Sequence, residues 1–317
     1  MSLSAMQVFN DVYAPAVYET LSQMVAAFNE ASNGAIILNS GPVSGDFLLS
    51  SFYDSLMASQ RRVDRYAAQG AVAATDLSQS DMNRVKVAGG FGPIRLEPSQ
   101  MTWLQKPTAE SVEIISRQLS EAIVADQLNT AIRSLVGAIG NQVTATNDQT
   151  GVSKVTQTVL NNTHALFGDM STSLVCTVMN GALYHQLIAA NLTNAQNLYQ
   201  ASGVLVVDIL GKKVIVTDSA PLTAAGVYKA LSLVPNACVI TNSSAPIVNI
   251  ETSNGQTRIE STFQADYDFV VGVKGYSWDT VNGGKSPTDA DLVAAGNWDL
   301  AVASIKNSAG VLSIGDQ

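Results

Sequence analysis

The sequence predicts an α+β protein built around one helix that is longer than the core of an average domain. Apolar residues of helical period form a single stripe from Val112 to Ile139. Short apolar segments of period two, separated by Gly, Pro and Asn, follow in the second half of the chain. An extended stretch with few apolar residues precedes the helix. Together these patterns favour helices and strands that share one core.

The composition is poor in charge. Charged residues make up 14% of the 317-residue chain, against roughly a quarter in an average soluble protein. Because such a chain has little polar surface to expose to water, we expect neighbouring subunits to cover much of it. The formal net charge is −9, and no Lys or Arg precedes Arg61. A basic N-terminal arm that neutralises nucleic-acid phosphates is therefore not expected.

The sequence has no pattern typical of secretion, membrane insertion or disulfide formation. The first residues lack the basic and apolar regions of a secretory signal, and no apolar run reaches the length of a membrane span. We therefore expect a soluble chain with no membrane partner. Cys176 and Cys238 lie far apart in apolar contexts, which predicts buried free thiols.

Residues 1–68 are predicted to form an N-terminal arm with two helices. A short apolar strand is expected at Ala35–Leu38, between them. The second helix is predicted to extend from Asp46 to Tyr66. Three arginines near its end, which we interpret as capping and surface charge rather than a DNA site, are Arg61, Arg62 and Arg65.

Residues 69–105 are predicted to form a long extended hairpin. Residues 85–87 and 94–96 alternate in period two, and the glycine-rich stretch between them suits a flexible tip. Because this hairpin has too few apolar residues for a core of its own, we expect it to pack on an adjacent subunit. Deleting residues 89–93 is predicted to leave a folded chain that builds no shells. The residues predicted to make this contact are Lys86, Gly89, Gly90, Phe91, Gly92, Pro93 and Arg95.

Residues 106–165 are predicted to contain the long helix, which begins near Pro107 and ends at Gly140. At ~1.5 Å per residue it would be about 45 to 50 Å long. We expect its apolar stripe to pack on a sheet that includes the C-terminal strands Phe269–Trp278 and Val311–Ile314. The stripe residues assigned to this packing are Val112, Ile115, Leu119 and Ile123.

The rest of the chain is predicted to be mixed α/β. Polar residues 141–160 are interpreted as a linker or surface loop. Residues 166–268 are predicted to form an α/β unit with a helix at Met179–Leu192 and a tight turn at Asn254-Gly255. Residues 269–317 are expected to return to the unit of the long helix.

The sequence contains no recognisable catalytic motif. Only two histidines occur, His164 and His185, and no metalloprotease, phosphate-loop or nucleophile-elbow pattern is present. Asp266 and Asp268 alternate on a predicted strand, where a solvated edge is preferred to a metal site. We therefore predict no catalytic, cofactor or metal site and no enzymatic activity.

Four segments resemble coat proteins of short-tailed bacteriophages. One resembles the strand that leads into their long helix, one their first domain helix, one their central hairpin, and one their C-terminal stretch. The matching residues are 95–105, Val178–Tyr184, Leu210–Asp218, and, at the C-terminus, Gly275–Asp279, Gly283-Gly284, Pro287–Asp289 and Asn297–Asp299.

This resemblance implies the major capsid fold of tailed phages, known as the Hong Kong ninety-seven fold. Its parts would be an N-arm, an extended E-loop at 69–105, a spine helix with its P-domain sheet at 106–165, an A-domain at 166–268, and a C-terminal return. The resemblance also implies an icosahedral shell of hexamers and pentamers around double-stranded DNA, found in the virion and assembled in the host cytoplasm. Portal, scaffolding and cement proteins would be partners, and contacts to DNA would be weak and non-specific.

Two alternatives remain open from the sequence. An encapsulin-like compartment shares the fold but encloses protein, and an unrecognised α/β enzyme would need a convergent catalytic site. In some relatives of the resembling coats, an E-loop lysine is cross-linked to an asparagine of a neighbour. Lys86 is available for this, but neither the Asn nor the assisting Glu matches a motif, so we expect a noncovalent shell.

Overall fold

The computed structural model describes residues 29, 32–41, 45–53, 60–68, 70–71, 74, 76, 79–96, 109–193, 208–209, 212–224, 226–243, 246–254 and 259–317. The helices are α1 (Ala109–Gly140), α2 (Gln157–Ala165), α3 (Gly181–Thr193) and α4 (Asp289–Val293). The strands are β1 (Ile36–Ser40), β2 (Phe47–Tyr53), β3 (Gln79–Leu96), β4 (Thr146–Lys154), β5 (Cys176–Met179), β6 (Asp208–Ile209), β7 (Lys212–Val216), β8 (Thr223–Ala224), β9 (Val227–Leu233), β10 (Cys238–Asn242), β11 (Ile247–Asn254), β12 (Ile259–Val273), β13 (Tyr276–Trp278), β14 (Trp298–Leu300) and β15 (Gly310–Asp316). The first predicted helix lies outside the described residues, whereas β1 confirms the predicted strand after it.

One sheet has six strands in the order β1-β10-β12-β3-β2, with β11 also paired to β12. β1 and β10 are parallel, and the other pairs are antiparallel. The centre of the sheet is β12 against the second half of β3. Alternate β12 residues, among them Ala265, Phe269 and Val271, are fully buried. This face forms the core beneath α1.

The second sheet has seven strands in the order β4-β15-β9-β5-β7-β6, with β8 also paired to β9. Its centre, β9 between β15 and β5, was not predicted as a strand. Nor was β4, because the segment 141–160 carries polar side chains where a buried strand would carry apolar ones. The structure satisfies these side chains by hydrogen bonds instead: Asn147 Nδ2 donates to the Val159 carbonyl at 3.3 Å and to Thr163 Oγ1 at 3.1 Å. The predicted surface loop is therefore wrong.

The long helix α1 has the predicted bounds, with 32 residues. Leu119 and Ile123 are buried at 7% and 1% exposure, whereas Gln118 faces solvent. The helix contacts β12 and β10 of one sheet and β15 of the other. Its stripe therefore packs against two sheets instead of the single sheet that the sequence predicted. The side chains of Val112 and Ile115 lie outside the described residues.

The C-terminal part of α1 is buried on nearly all sides. From Thr130 to Ile139 only Arg133 is partly exposed, and its guanidinium pairs with Asp289 at 3.0 Å. Gly137 is needed there, since a Cβ at this position would lie 2.5 Å from the Leu292 carbonyl oxygen of α4. The absence of a side chain at Gly137 therefore allows α4 to pack directly against the long helix.

The last fifty residues connect both sheets. The predicted strand Phe269–Trp278 is divided between β12 and β13 at Gly275, which has a φ of 80°. Trp278 and Trp298 pack edge to face across β13 and β14, with ring centroids 4.9 Å apart. α4 begins with a capping box between Thr288 and Asp291. β15 then joins the seven-stranded sheet, so the C-terminal segment does not return to one unit alone.

One hydrophobic core includes residues of α1 and of both sheets. The segment 166–268 contributes strands to both sheets, and the boundary at 268/269 falls inside β12. None of the described helices has the length and apolarity that crossing a membrane requires.

Candidate assembly surfaces

The hairpin predicted at residues 69–105, with its tip at residues 89–93, is not present, and an antiparallel strand pair lies earlier in the chain instead. Residues 79–85 of β3 pair with β2, and residues 85–96 pair with β12. β3 is thus one continuous strand of 18 residues. We call β2, residues 79–85 and the segment that connects them the arm. It replaces the helix predicted from Asp46 to Tyr66, because the Phe-Leu-Leu-Ser-Ser-Phe-Tyr sequence of β2 has a strand partner in β3.

Residues 89–93 are not a hairpin tip. They lie in the middle of β3, where Gly89 is opposite Tyr267 and Gly90 is opposite Asp266 of β12. A Cβ on Gly89 would lie 2.6 Å from the Tyr267 ring, and one on Gly92 would lie 2.6 Å from the Phe263 carbonyl oxygen. The glycines therefore permit close strand packing and a bulge in the sheet, which the sequence pattern did not distinguish from a turn.

The other residues predicted on this loop take part in ion pairs within the chain. The Lys86 ammonium pairs with Asp268, which also accepts a hydrogen bond from Ser243 Oγ. Arg95 pairs with Glu260 at 3.1 Å. These contacts hold β3 to β12, so Lys86 and Arg95 are sheet residues and not tip residues.

The arm extends beyond the body of the sheet. Its strands pair only with each other between residues 79 and 84, and an isolated two-stranded ribbon is marginally stable in water. At its base, the Asn83 amide donates to Ser277 Oγ at 3.0 Å and the Lys86 amide donates to the Asp46 carbonyl at 3.0 Å. Among the described residues these contacts anchor the ribbon at its base, which makes the rest of it a candidate contact surface.

The described part of the connecting segment exposes apolar and cationic side chains together. Every residue from 60 to 68, which we call the arm tip, is exposed. Val63 is 68% exposed and Tyr66 is 96% exposed. They alternate with the three arginines that the sequence assigned to a helix end, Arg61, Arg62 and Arg65. Tyr and Arg are enriched at protein interfaces, which makes the arm tip a candidate contact surface.

A second candidate surface lies at the β4 edge of the seven-stranded sheet. Val143 is 87% exposed and Val152 is 77% exposed. Between β4 and α2 lies an open groove of about 260 Å³, lined by Thr146, Asn147, Gln149, Val159, Asn162 and Leu166. An outer strand presents unpaired backbone groups that favour association with another chain.

The described histidines have structural surroundings. His164 is buried, and its Nε2 lies 2.8 Å from Ser232 Oγ, which in turn lies 3.2 Å from Thr177 Oγ1. Burial lowers the pKa of His164 to about 4, with a smaller contribution from the Lys212 ammonium. Ser232 is fully buried, so this Ser–His contact is closed to a substrate. His185 is exposed and makes an edge contact with the Tyr184 ring.

The described carboxylates and thiols singled out from the sequence have hydrogen-bond, ion-pair or apolar surroundings. Asp266 accepts a hydrogen bond from Gln264 at 3.2 Å, whereas its neighbour Asp268 pairs with Lys86. Cys176 and Cys238 are buried free thiols, and burial raises the pKa of each to about 12. In the described part of the chain, no three His, Cys, Asp or Glu side chains come together as ligands.

The long helix held between two sheets, with a strand pair that leaves one of them, defines a fold that is similar to those of solved phage capsid structures. The Cyanophage Pam1 capsid asymmetric unit matches with a TM-score of 0.51, 10% identity and 86% of each chain covered. The capsid of Helicobacter pylori bacteriophage KHP30 matches at 0.51, with 11% identity, 90% of this chain and 89% of the other. Mycobacterium phage Adephagia matches at 0.51, with 10% identity and 88% of each chain. At these identities the likeness shows the fold alone.

The sequence family settles the role. The family described as "Major capsid protein 13-like" matches residues 5–312, so the chain belongs to it and is a structural subunit of a phage capsid, located in the virion. No curated protein matches the chain. The resemblance to phage coats inferred from the sequence is thereby confirmed, as is the α+β capsid fold.

Proposed function

We propose that copies of this chain assemble as hexamers and pentamers into an icosahedral shell around a double-stranded DNA genome. The observation that carries the proposal is the arm, a ribbon that is anchored at its base and whose tip, residues 60–68, is exposed throughout. An arm of this kind gains its packing from a neighbouring copy. Interfaces of obligate assemblies bury thousands of Å². A chain with few charged residues loses little hydration of charged groups when so much of its surface is buried.

Within this proposal, the arm takes the role that the sequence assigned to residues 69–105. The extended loop then comprises residues 47–85, which includes β2 and the first half of β3. The spine is α1, and the six-stranded and seven-stranded sheets correspond to the P-domain and the A-domain. The physical basis is that β2 and β3 are the pair that leaves the sheet, whereas residues 89–96 stay inside it.

The further partners follow from the assembly and the charge. A net charge of −9 disfavours tight contact with phosphates, so packaged DNA would be held weakly and without sequence preference. Portal, scaffolding and cement proteins are proposed as additional partners, with assembly in the bacterial cytoplasm. A purely structural role without catalysis agrees with the closed surroundings of His164 and Ser232.

The connecting segment of the arm, which contains the arm tip, can be removed without disturbing the strands because Tyr53 lies directly opposite Gln79. An Asn-Gly turn in place of residues 54–78 joins this pair as a two-residue hairpin. We expect the shortened chain to remain folded, by circular dichroism, but to form no closed shells in electron micrographs. A Gly-Ser linker of the original length in place of the same residues separates the loss of side chains from the loss of chain length. Normal shells from the shortened chain, or a wild-type chain that forms none, would contradict the proposal.

A further inference from the structure

The helix α2 lies on one face of the seven-stranded sheet and is held there by a small set of buried side chains. We propose that α2 is a pH-sensitive element of the fold, which leaves the sheet when the imidazole of His164 takes up a proton. The rest of the sheet and the core around α1 stay folded during this release. Because the event belongs to the single chain, it does not depend on the proposed shell.

α2 depends on the sheet for its stability. It has nine residues, and isolated helices shorter than about 12 to 15 residues are marginal in water. Of its four buried side chains, Val159 and Leu160 are apolar, whereas Thr163 and His164 are polar. Hydrogen bonds therefore supply a large part of the contact that keeps α2 in place.

Thr163 makes the hydrogen bonds that do not respond to pH. Its Oγ1 accepts from Asn147 Nδ2 of β4 at 3.1 Å and from Ser313 Oγ of β15 at 2.8 Å. Asn147 also donates to the Val159 carbonyl at 3.3 Å. Hydroxyl and amide groups do not titrate between pH 4 and pH 7, so these bonds hold α2 equally well across that range.

His164 makes the contact that responds to acid. Its Nε2 lies 2.8 Å from Ser232 Oγ of β9, which lies 3.2 Å from Thr177 Oγ1 of β5. Ser232 is 0% exposed and Thr177 is 2% exposed, so the imidazole faces hydroxyl groups in a buried site. Hydroxyl groups exchange hydrogen bonds with a neutral imidazole, but they do not neutralise the charge of a protonated one.

The charged groups around α2 do not compensate a protonated His164. The charge that acts on this imidazole is the Lys212 ammonium of β7, which has the same sign. On the turn that follows α2, Asp169 is already paired with Lys306. The other titratable groups of the packed elements are exposed, at Lys154 and His185, or lie on the opposite face of the sheet by strand alternation, at Asp148, Cys176, Lys213, Lys229 and Asp316. A proton on His164 is therefore stabilised when α2 leaves the sheet and the side chain reaches water.

The packing around α2 allows this release to be local. The open groove of about 260 Å³ between β4 and α2 leaves one side of the helix without close packing. On its other side, Leu160 belongs to a small apolar cluster with Met179 and Leu183, which is separate from the core around α1. Release of α2 thus disturbs the small cluster and leaves the main core intact.

Hydrogen exchange of the full, unassembled chain tests the proposal. The opening equilibrium of the α2 amides, corrected for the intrinsic effect of pH on exchange, should rise about 20-fold from pH 7 to pH 5 and about 100-fold from pH 7 to pH 4. The reason is that the released imidazole regains its ordinary pKa of 6.5, whereas the docked one has a pKa of about 4. Low concentrations of urea should accelerate exchange in the central strand β9 and leave α2 nearly unchanged. Equal urea dependence in both would show that α2 opens only with the whole chain, and the proposal would fall.

Two substitutions separate the proton from the other contacts. His164→Gln keeps a polar side chain that does not titrate, so the change in α2 opening between pH 7 and pH 4 should drop to less than about three-fold. Ser313→Ala removes one hydrogen bond to Thr163, so it should raise the opening about two- to ten-fold at every pH and leave the pH dependence unchanged. His185→Gln is the control at an exposed histidine. A pH dependence that persists in His164→Gln contradicts the proposal.

The imidazole signals of the wild-type chain cover the case in which His164→Gln does not fold. The chain has two histidines, so His185→Gln assigns both signals in a nuclear magnetic resonance titration. The His164 imidazole should take up its proton over the same pH range in which the α2 amides lose protection. Loss of protection while His164 stays neutral would overturn the proposal, as would a charged His164 beneath a fully protected α2.

Discussion

At the scale of single residues, one turn of α1 shows which face of the long helix is internal. Leu119 is buried, and the adjacent Gln118 faces solvent. Leu119→Ala should lower the free energy of unfolding by ~2–5 kcal/mol, since it removes buried methyl groups and leaves a cavity. Gln118→Ala should cost well under ~1 kcal/mol. Urea denaturation of the unassembled chain measures both, and equal effects would mean that the helix face has been misassigned.

The buried imidazole of His164 predicts a dependence of stability on pH. Because burial lowers its pKa from 6.5 to about 4, the unfolded chain takes up a proton between these values and the folded chain does not. The free energy of unfolding should therefore fall as the pH drops from 6.5 to 4, by an amount on the order of 3 kcal/mol. His164→Gln should remove most of that slope, and His185→Gln, at an exposed position, should leave it unchanged. A slope that survives in His164→Gln would assign the effect to other groups.

At the scale of elements, a helix or strand could be predicted from the sequence only where its apolar residues repeat with the period of that element. The apolar stripe of α1 predicted where the helix begins and ends, because a helix that packs against two sheets repeats apolar residues over many turns. β4 was missed because polar side chains such as Asn147 are satisfied by hydrogen bonds to α2, 12 and 16 residues further along the chain, which no apolar pattern indicates. β2 was predicted as part of a helix, because Phe47 and Phe52 are five residues apart and do not show the alternation of period two that indicates a strand.

The same limit explains the misplaced loop. Glycines in residues 89–93 are typical of a turn, and only the position of Tyr267 on another strand shows that they permit close packing. A deletion of these five residues therefore removes the middle of a core strand, and the earlier expectation of a folded subunit is withdrawn. The candidate contact surface, residues 60–68, carried a detectable signal in Val63, Tyr66 and the three arginines, but it was assigned to a helix end.

Gly89 provides a direct test of this strand assignment. Gly89→Ala should lower the free energy of unfolding by ~1–3 kcal/mol, because its methyl group would displace the Tyr267 ring and the hydrogen bond from Tyr267 to Asp126. Gly296→Ala should be nearly neutral, since a Cβ there meets open space. Thermal unfolding of the two variants compares them. A neutral Gly89→Ala is the result expected of a free loop tip and would contradict the sheet position.

At the scale of the whole molecule, the structure bears on how the shell is held together. Lys86, the lysine considered for cross-linking, is paired with Asp268 inside the sheet, and its side chain is 27% exposed. We therefore expect mature particles to dissociate fully in hot detergent and to give one band near 33.3 kDa on a denaturing gel. Particles isolated from infected cells are the sample, and boiled unassembled chain is the size control. A ladder of higher bands would show covalent links between subunits.

The continuity of β3 has a mechanical consequence. The strand belongs to the arm over its first residues and to the core sheet over the rest, with no break at the join near Val85. The arm and the core sheet are therefore expected to rotate together as one rigid body. A tilt of the sheet by about 10° swings the end of a ribbon about 20 Å long by roughly 3 to 4 Å. Subunits placed at different curvatures in a shell would then present their arm tips at measurably different heights.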